Sequence, residues 1–260
     1  MQPVTTAQVI HTLRSLGLQA GDGVLVHSAV QYLGKPENGV GTYYTALAEV
    51  LDLVRGTLAV PAFNFAFARG EPYNPLTTPS QGMGVFSEYV RQRVEARRTP
   101  HPMQSIAVVG ASAPDLAGRD TPSAFDPGSA FERMLTLDFK LLLLGADVQA
   151  VSMVHYSEQR ACVPYRYWKE FSGEVYEPAR GRWEMRTYRM YVRDMEIDPQ
   201  LKLLPIQRVL EERQQWLRKQ LNYGYVCTCR LRDFVAAADE LLAQDAWAFV
   251  AGTKTGTKKG

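Results

Sequence analysis

Apolar residues between Thr6 and Leu18 recur at Val9, Ile10, Leu13 and Leu16, the spacing of one helix face, and Gly17 with Gly21 supplies a stop. The run VLVHSAV follows at once, so the pattern predicts a helix that leads into a buried strand. The alternation then repeats: GTYYTALAEVLDLV reads as a helix with a Gly-Thr start, GTLAVPAF as a strand, GVFSEYVRQRVEARR as an amphipathic helix and SIAVVGA as another strand. GSAFERMLTL is a short helix, and KLLLLGA is the almost wholly apolar kind of run found in strands covered on both faces. After Val163 the pattern changes. GEVYEPARGRWEMRTYRMYVRDMEID is rich in aromatic and β-branched residues around a Pro-Ala-Arg-Gly turn, which predicts an antiparallel hairpin or meander at about 172–196. A helix over 205–221, a strand YVCTCR and a closing helix LRDFVAAADELLAQ complete the chain. The expected fold class is α/β: a layered mixed β-sheet flanked by helices, one domain over residues 1–251 with the meander inserted in its C-terminal half, and a flexible basic tail at 252–260.

Composition narrows the function classes. A chain with 46% hydrophobic and 22% charged residues and no apolar run near the roughly 18 residues of a membrane span reads as an ordinary water-soluble globular protein, with no membrane partner. The opening MQPVTTAQVIHTLRSL has neither a basic start nor an unbroken apolar stretch, so no secretory signal is expected and the cytoplasm is the expected compartment. Removing Lys254, Lys258 and Lys259 of the tail from the net charge of +2 leaves −1 for the body, without the basic, aromatic-interleaved stripe that would suggest nucleic acid. Cys162, Cys227 and Cys229 are an odd set without C-x-x-C spacing and read as buried thiols.

Four stretches could carry chemistry. In SMVHYSEQR, a helix capped by Ser152 would put His155 in its first turn and Glu158 one turn on, where i and i+3 side chains meet. The carboxylate could fix the ring tautomer for a general base; a structural histidine is the alternative, and a zinc pair lacks a third ligand. No metal site is expected. In VLVHSAVQYLGKPENGVGT a buried strand ends in His27 and Ser28, and a loop with Gly39 and Gly41 could bind an anion beside Lys35. It lacks the Gly-Lys-Ser/Thr of a phosphate-binding loop. The loops EPYNPLTTPSQGMG and RRTPHPMQSIAVVG flank one helix; the second holds His101 between prolines and Ser105 at a strand start, where its hydroxyl could meet a ligand.

In order and spacing these stretches resemble the aminoglycoside 3-N-acetyltransferase family of antibiotic N-acetyltransferases, whose fold is not that of the larger acetyltransferase superfamily. The resemblance runs over roughly residues 5–250 and rests on VHSAVQYLG, TLAVPAF, YNPLTTPSQGMG, RRTPHPMQSIAVVG, LLLLGA and HYSEQ. It implies transfer of an acetyl or related acyl group from acetyl-CoA, or another acyl-CoA, to the amine of a small-molecule acceptor: an aminoglycoside, amino sugar or similar polar compound. It implies His155 as general base, supported by Glu158 or by an acid of RDMEIDPQ, with Glu196 before Asp198 and Asp194. The pantetheine arm of the thioester donor would lie along His27, Ser28, Gly34 and Lys35 and along Ser105. A homodimer is the candidate assembly. KPENGVGTYY departs from the family's more regular Gly-Gly turn, and the arginines 180, 182, 186, 189 and 193 of the meander suggest an anionic acceptor in place of a polycationic drug. The other readings of the same His/Glu pair are an amide or thioester hydrolase and a non-catalytic ligand-binding relative.

Overall fold

The computed structural model describes residues 3–251, so the expected tail at 252–260 lies outside the described residues. The first helix, α1 (Thr6–Ser15), is set by a capping box in which Thr5 and Gln8 satisfy each other's backbone N–H groups. It leads into β1 (Gly23–Ser28), α2 (Gly41–Leu51) and β2 (Thr57–Pro61). Then come α3 (Gly84–Arg91), β3 (Arg97–Arg98), β4 (Ile106–Gly110), α4 (Ala113–Ala117), α5 (Ala130–Thr136), β5 (Lys140–Leu144) and α6 (Val154–Arg160). A hairpin of β6 (Arg166–Glu177) and β7 (Arg182–Arg193) precedes α7 (Leu204–Glu212), β8 (Leu217–Leu221), β9 (Gly224–Arg230) and α8 (Leu231–Gln244).

Seven strands form one mixed sheet in the order β3-β4-β2-β1-β5-β9-β8, in which β1 runs parallel to both β2 and β5 and the outer pairings are antiparallel. Both faces are covered. Val24, Val26, Leu142 and Leu144 pack with α1, α2 and α3, whereas Leu25, Leu141 and Leu143 pack with the helices from α4 to α8. This is why the central strands read as unbroken apolar runs. The parallel strands end at one edge of the sheet, and His27, two residues after Leu25, points to the second of these layers.

The hairpin is a separate two-stranded sheet, with register from Arg166 opposite Arg193 to Glu177 opposite Arg182. It starts earlier than the expected 172–196 and ends at Arg193, with residues 194–196 outside it. A bridge between Tyr73 and Val175 and a cluster of Phe67, Tyr73, Met103, Val175 and Tyr188 fasten it to the body.

Two expected helices are shorter than their patterns. The helix after Gly84 stops at Arg91, because Arg98 is drawn into the sheet by the Ala62 and Thr78 carbonyls and by Ser105 Oγ at 2.8 Å. The helix expected over 205–221 stops at Glu212. Gln214 takes a left-handed conformation (φ 57°), Trp216 is buried, and 217–221 pairs with β9 across a turn at Asn222. Cys227 and Cys229 are buried as expected, but Cys162 is exposed.

Candidate active site

β1 and β5 end side by side, and the chain beyond β5 must pass close to the chain beyond β1. Gly145 makes this crossing with φ 75°; a Cβ there would lie 2.6 Å from the Ala29 carbonyl oxygen. A single 3-10 turn at Val148–Ala150 then delivers Ser152 to His27 and starts α6. The Ser152 N–H donates to His27 Nε2 at 3.0 Å, and Ser152 Oγ lies 2.9 Å from the same nitrogen. Nε2 therefore accepts and the ring proton sits on Nδ1. Burial, with the nearby His155 adding to it, lowers the His27 pKa to about 3, so this imidazole is neutral.

Ser152 does not cap α6 as the sequence suggested; its N–H and hydroxyl both go to His27, and no side chain caps that helix. His155 still falls in the first turn and meets Glu158, with Nδ1 2.6 Å from Oε2. Glu158 is fully buried and Arg166 Nε lies 2.9 Å from the same oxygen. Burial alone would raise the Glu158 pKa, but the hydrogen bond and charge of His155 and then Arg166 outweigh it and hold the carboxyl below its ordinary range. Arg166 Nη2 also approaches His155 Nδ1 at 3.3 Å. One ring nitrogen cannot donate to Glu158 and accept from Arg166 together. The 2.6 Å contact to a group that only accepts fixes the proton on Nδ1, and the Arg166 approach is electrostatic. Nε2 of His155 then carries the lone pair, and His155, its ring edge-on to Phe125, lines a cleft of about 420 Å³ together with His27, Ser152, Arg166 and Tyr191.

The remaining expected site residues fare unevenly. Ser28 is half-buried and lines a second hollow of about 530 Å³, bounded by Tyr32, Gly145, Trp216, Arg218 and Tyr225, which meets the cleft at Ala150. Gly34 and Lys35 line neither hollow. Gly34 is explained by the β8–β9 turn, since a Cβ there would fall 2.4 Å from Asn222 Nδ2, and Lys35 is exposed. Ser105 is fully buried, donates to the Ala62 carbonyl at 2.9 Å and accepts from Arg98, so its hydroxyl is committed inside the protein. His27 borders the cleft but acts as a strut between β1 and the approach to α6. Glu196 is exposed and makes no hydrogen bond or ion pair with His155; the carboxylate beside the imidazole is Glu158. Among the described residues no three His, Cys, Asp or Glu side chains converge as a metal site, and no helix is long and apolar enough to cross a membrane.

The hairpin arginines are also spoken for. Arg180 and Arg182 pair with Glu184, Arg186 with Asp120, Glu177 and Glu184, and Arg189 with Asp126. These four hold the hairpin to the loop at 120–126 and to itself, which corrects the expectation that they await an anionic acceptor; Arg193, the fifth, lines the cleft and lies 3.9 Å from Asp198. Arg166, which is absent from the sequence-based site, is the residue that reasoning missed. It opens β6 immediately after the helix that carries the base, but nothing in the spacing shows that a strand start folds back onto it.

Residues 25–243 match the family model described as aminoglycoside 3-N-acetyltransferase. The chain belongs to that family. A curated relative, aminoglycoside N(3)-acetyltransferase III of Salmonella sp, is 28% identical over 181 residues, 63% of this chain and 63% of the relative, so the match spans under two thirds of that relative's length. Among solved structures, AAC-IIIb as a binary complex with CoASH aligns with a TM-score of 0.82 at 19% identity, covering 94% of this chain and 97% of that one. AAC-VIa bound to sisomicin aligns with a TM-score of 0.81 at 22% identity, covering 94% and 98%. These likenesses show that the fold is that of the family.

Proposed function

We propose that the protein is an acyl-CoA-dependent N-acyltransferase that moves an acetyl or related acyl group from the thioester to the amine of a small-molecule acceptor, with His155 as general base. One observation carries the reading: the Glu158 carboxylate holds the imidazole proton on Nδ1, which leaves the lone pair on Nε2 of a histidine that lines the cleft. An alkylammonium cannot attack a thioester until it loses a proton. Nε2 takes that proton, the amine lone pair bonds to the thioester carbonyl carbon, and collapse of the tetrahedral intermediate breaks the C–S bond. The proton returns from the imidazolium to the departing sulfur and the second proton on the attacking nitrogen is released to solvent, giving a neutral amide, free thiol and one net proton.

Acyl-CoA is a substrate here, and the second hollow suits it. It opens beside Ser28, meets the cleft at Ala150, and carries aromatic rings and a guanidinium at its rim, with Arg218 stacked 3.4 Å over the Tyr225 ring. Flat aromatic surface and a cation are what an adenine and its phosphates would use. The family membership and the AAC-IIIb–CoASH structure support the same donor.

The test is thiol release from acetyl-CoA with and without an added amine. Release that depends on the amine and falls by about two to four orders of magnitude in His155→Ala is the expected result. Amine-independent release would instead mark the protein as a thioester hydrolase.

A further inference from the structure

We infer that Gln104 selects the acceptor: its carboxamide hydrogen-bonds to an oxygen or nitrogen beside the reacting amine, in the arrangement an amino sugar presents. This rests on the transferase reading, which brings the acceptor amine to His155 and so into the cleft that both residues line.

The sheet puts Gln104 on the side of the cleft away from the donor. β2 and β4 pair with Pro61 opposite Ile106, and the ladder continues past both strands through bonds from the Ala62 N–H to the Ser105 carbonyl and from the Asn64 N–H to the Met103 carbonyl. Phe63 therefore stands opposite Gln104. Side chains alternate along this extension. Ser105 turns to Arg98, whereas Phe63 and Ile106 pack in the layer of α4 to α8, so Gln104 belongs to that second face. The hollow that suits the thioester is lined by Ser28, Gly145, Tyr225 and Cys227 and reaches the cleft at Ala150. In the order β4-β2-β1-β5-β9 that is the β5 and β9 flank of β1, and Gln104 is on the β2 and β4 flank. The thioester enters from one side, and the acceptor fills the other, over Phe63 and Gln104.

Gln104 is also a polar group left without a partner. The residue is 8% exposed, its backbone N–H donates to His101 Nδ1 at 3.1 Å, and among the described residues nothing hydrogen-bonds to its carboxamide. The void of about 10 Å³ that it borders beside His101 is too small for a ligand. Other polar side chains of the wall are engaged: Gln149 with the Leu201 carbonyl and Leu203 N–H, Ser152 with His27, Tyr191 with the Val163 carbonyl, and Arg166 with Glu158. His27 Nδ1 lacks a partner too, but that atom has no exposed surface. Arg193 lines the hairpin side, with its side chain 43% exposed and 3.9 Å from Asp198; a guanidinium only donates, and it repels an ammonium. The Gln104 carboxamide is neutral, donates through Nε2 and accepts through Oε1, so it can meet a ring hydroxyl or an ammonium. A buried amide without a bond is unfavourable in the empty protein, and a bound acceptor relieves it.

The experiment is Gln104→Met, which keeps the length of the side chain and removes its hydrogen bonds, assayed by thiol release with the purified full chain, acetyl-CoA and sisomicin. The expected kcat/KM for sisomicin is about ten- to a hundredfold lower, with the KM for acetyl-CoA within about twofold of wild type. The melting temperature without ligand should match or exceed that of wild type, because the amide makes no bond in the fold. Gln104→Glu keeps an acceptor at the same reach and should retain more kcat/KM than Gln104→Met. An unchanged sisomicin kcat/KM in Gln104→Met overturns the assignment and leaves the transferase intact. So does a loss that comes with a lower melting temperature and that Gln104→Glu does not relieve, which marks a structural role. Wild-type protein that neither acetylates sisomicin nor is stabilised by it in the presence of CoA overturns the acceptor chemistry. Thiol release that ignores sisomicin fails the transferase reading itself.

Discussion

Arg166 decides how the imidazole and its carboxylate behave. Glu158 has no exposed surface and Arg166 side-chain atoms are 10% exposed, so each is the other's counter-ion in a poorly solvated place. Breaking such a pair by removing one partner strands the other charge, at a cost of about 3 to 5 kcal/mol. Glu158→Gln should therefore lower the melting temperature sharply, and Glu158→Gln combined with Arg166→Gln should recover much of the loss, because the coupled terms do not add. A double variant as unstable as the sum of the singles would show that the pair is not coupled. Arg166→Gln has a second readout. Without the guanidinium the Glu158 carboxylate loses one of the two groups that position it, so kcat/KM should fall and Arg166→Lys should restore part of it, whereas simple loss of packing would not be rescued by the lysine charge. In the transferase reading Glu158 acts through His155, so its effect on turnover should vanish in a His155→Ala background.

At the scale of elements, the site depends on one crossing. Gly145 sits where the chain leaving β5 passes the chain leaving β1, and its positive φ and the 2.6 Å approach of a Cβ to the Ala29 carbonyl leave no space for a side chain. Gly145→Ala should cost more than about 1 kcal/mol in denaturant unfolding and reduce turnover as well, since residues 148–155 are aimed by that passage. Gly39→Ala is the control: its φ is also positive, at 64°, but a Cβ there meets nothing within 4 Å, so stability falls and turnover holds. Equal losses of turnover in both would remove the positioning role from Gly145. The sequence made the central strands legible because their apolar runs are covered on both faces, and it made the i, i+3 meeting of His155 and Glu158 legible because that is a local helical relation. It hid contacts that depend on tertiary placement. Ser105 looked available at a strand start until Arg98 folded over it, the hairpin arginines looked free until the loop at 120–126 met them, and 217–221 looked helical because the open edge of β9 is invisible in a periodicity.

For the whole molecule, two buried neutral imidazoles tie layers together. His27 joins β1 to the approach of α6 across 125 residues, and His101 packs against the ring of Tyr188 on the hairpin, centroids 5.1 Å apart. Burial lowers their pKa values from 6.5 to about 3 and about 4. The unfolded chain takes up both protons as the pH falls below 6.5 and the folded chain does not, so the unfolded state binds more protons and stability drops as the medium becomes acid. The depressed carboxylates Glu88 and Glu158 start from 4.5 in the unfolded chain and add their loss only below that, and Asp120, raised by burial, acts in the opposite sense, so the fall in stability between pH 6.5 and 4.5 comes from the histidines. Urea unfolding across that window should show stability falling by up to about 1.4 kcal/mol per pH unit for each buried imidazole. His101→Asn should reduce the slope and leave the protein weaker but less acid-sensitive. A slope unchanged in His101→Asn would mean that this ring is protonated in the fold. Because the folded chain keeps His27 neutral across that window, the loss acts through the unfolded state, and the contact of His27 with Ser152 beside the cleft should hold for as long as the protein stays folded.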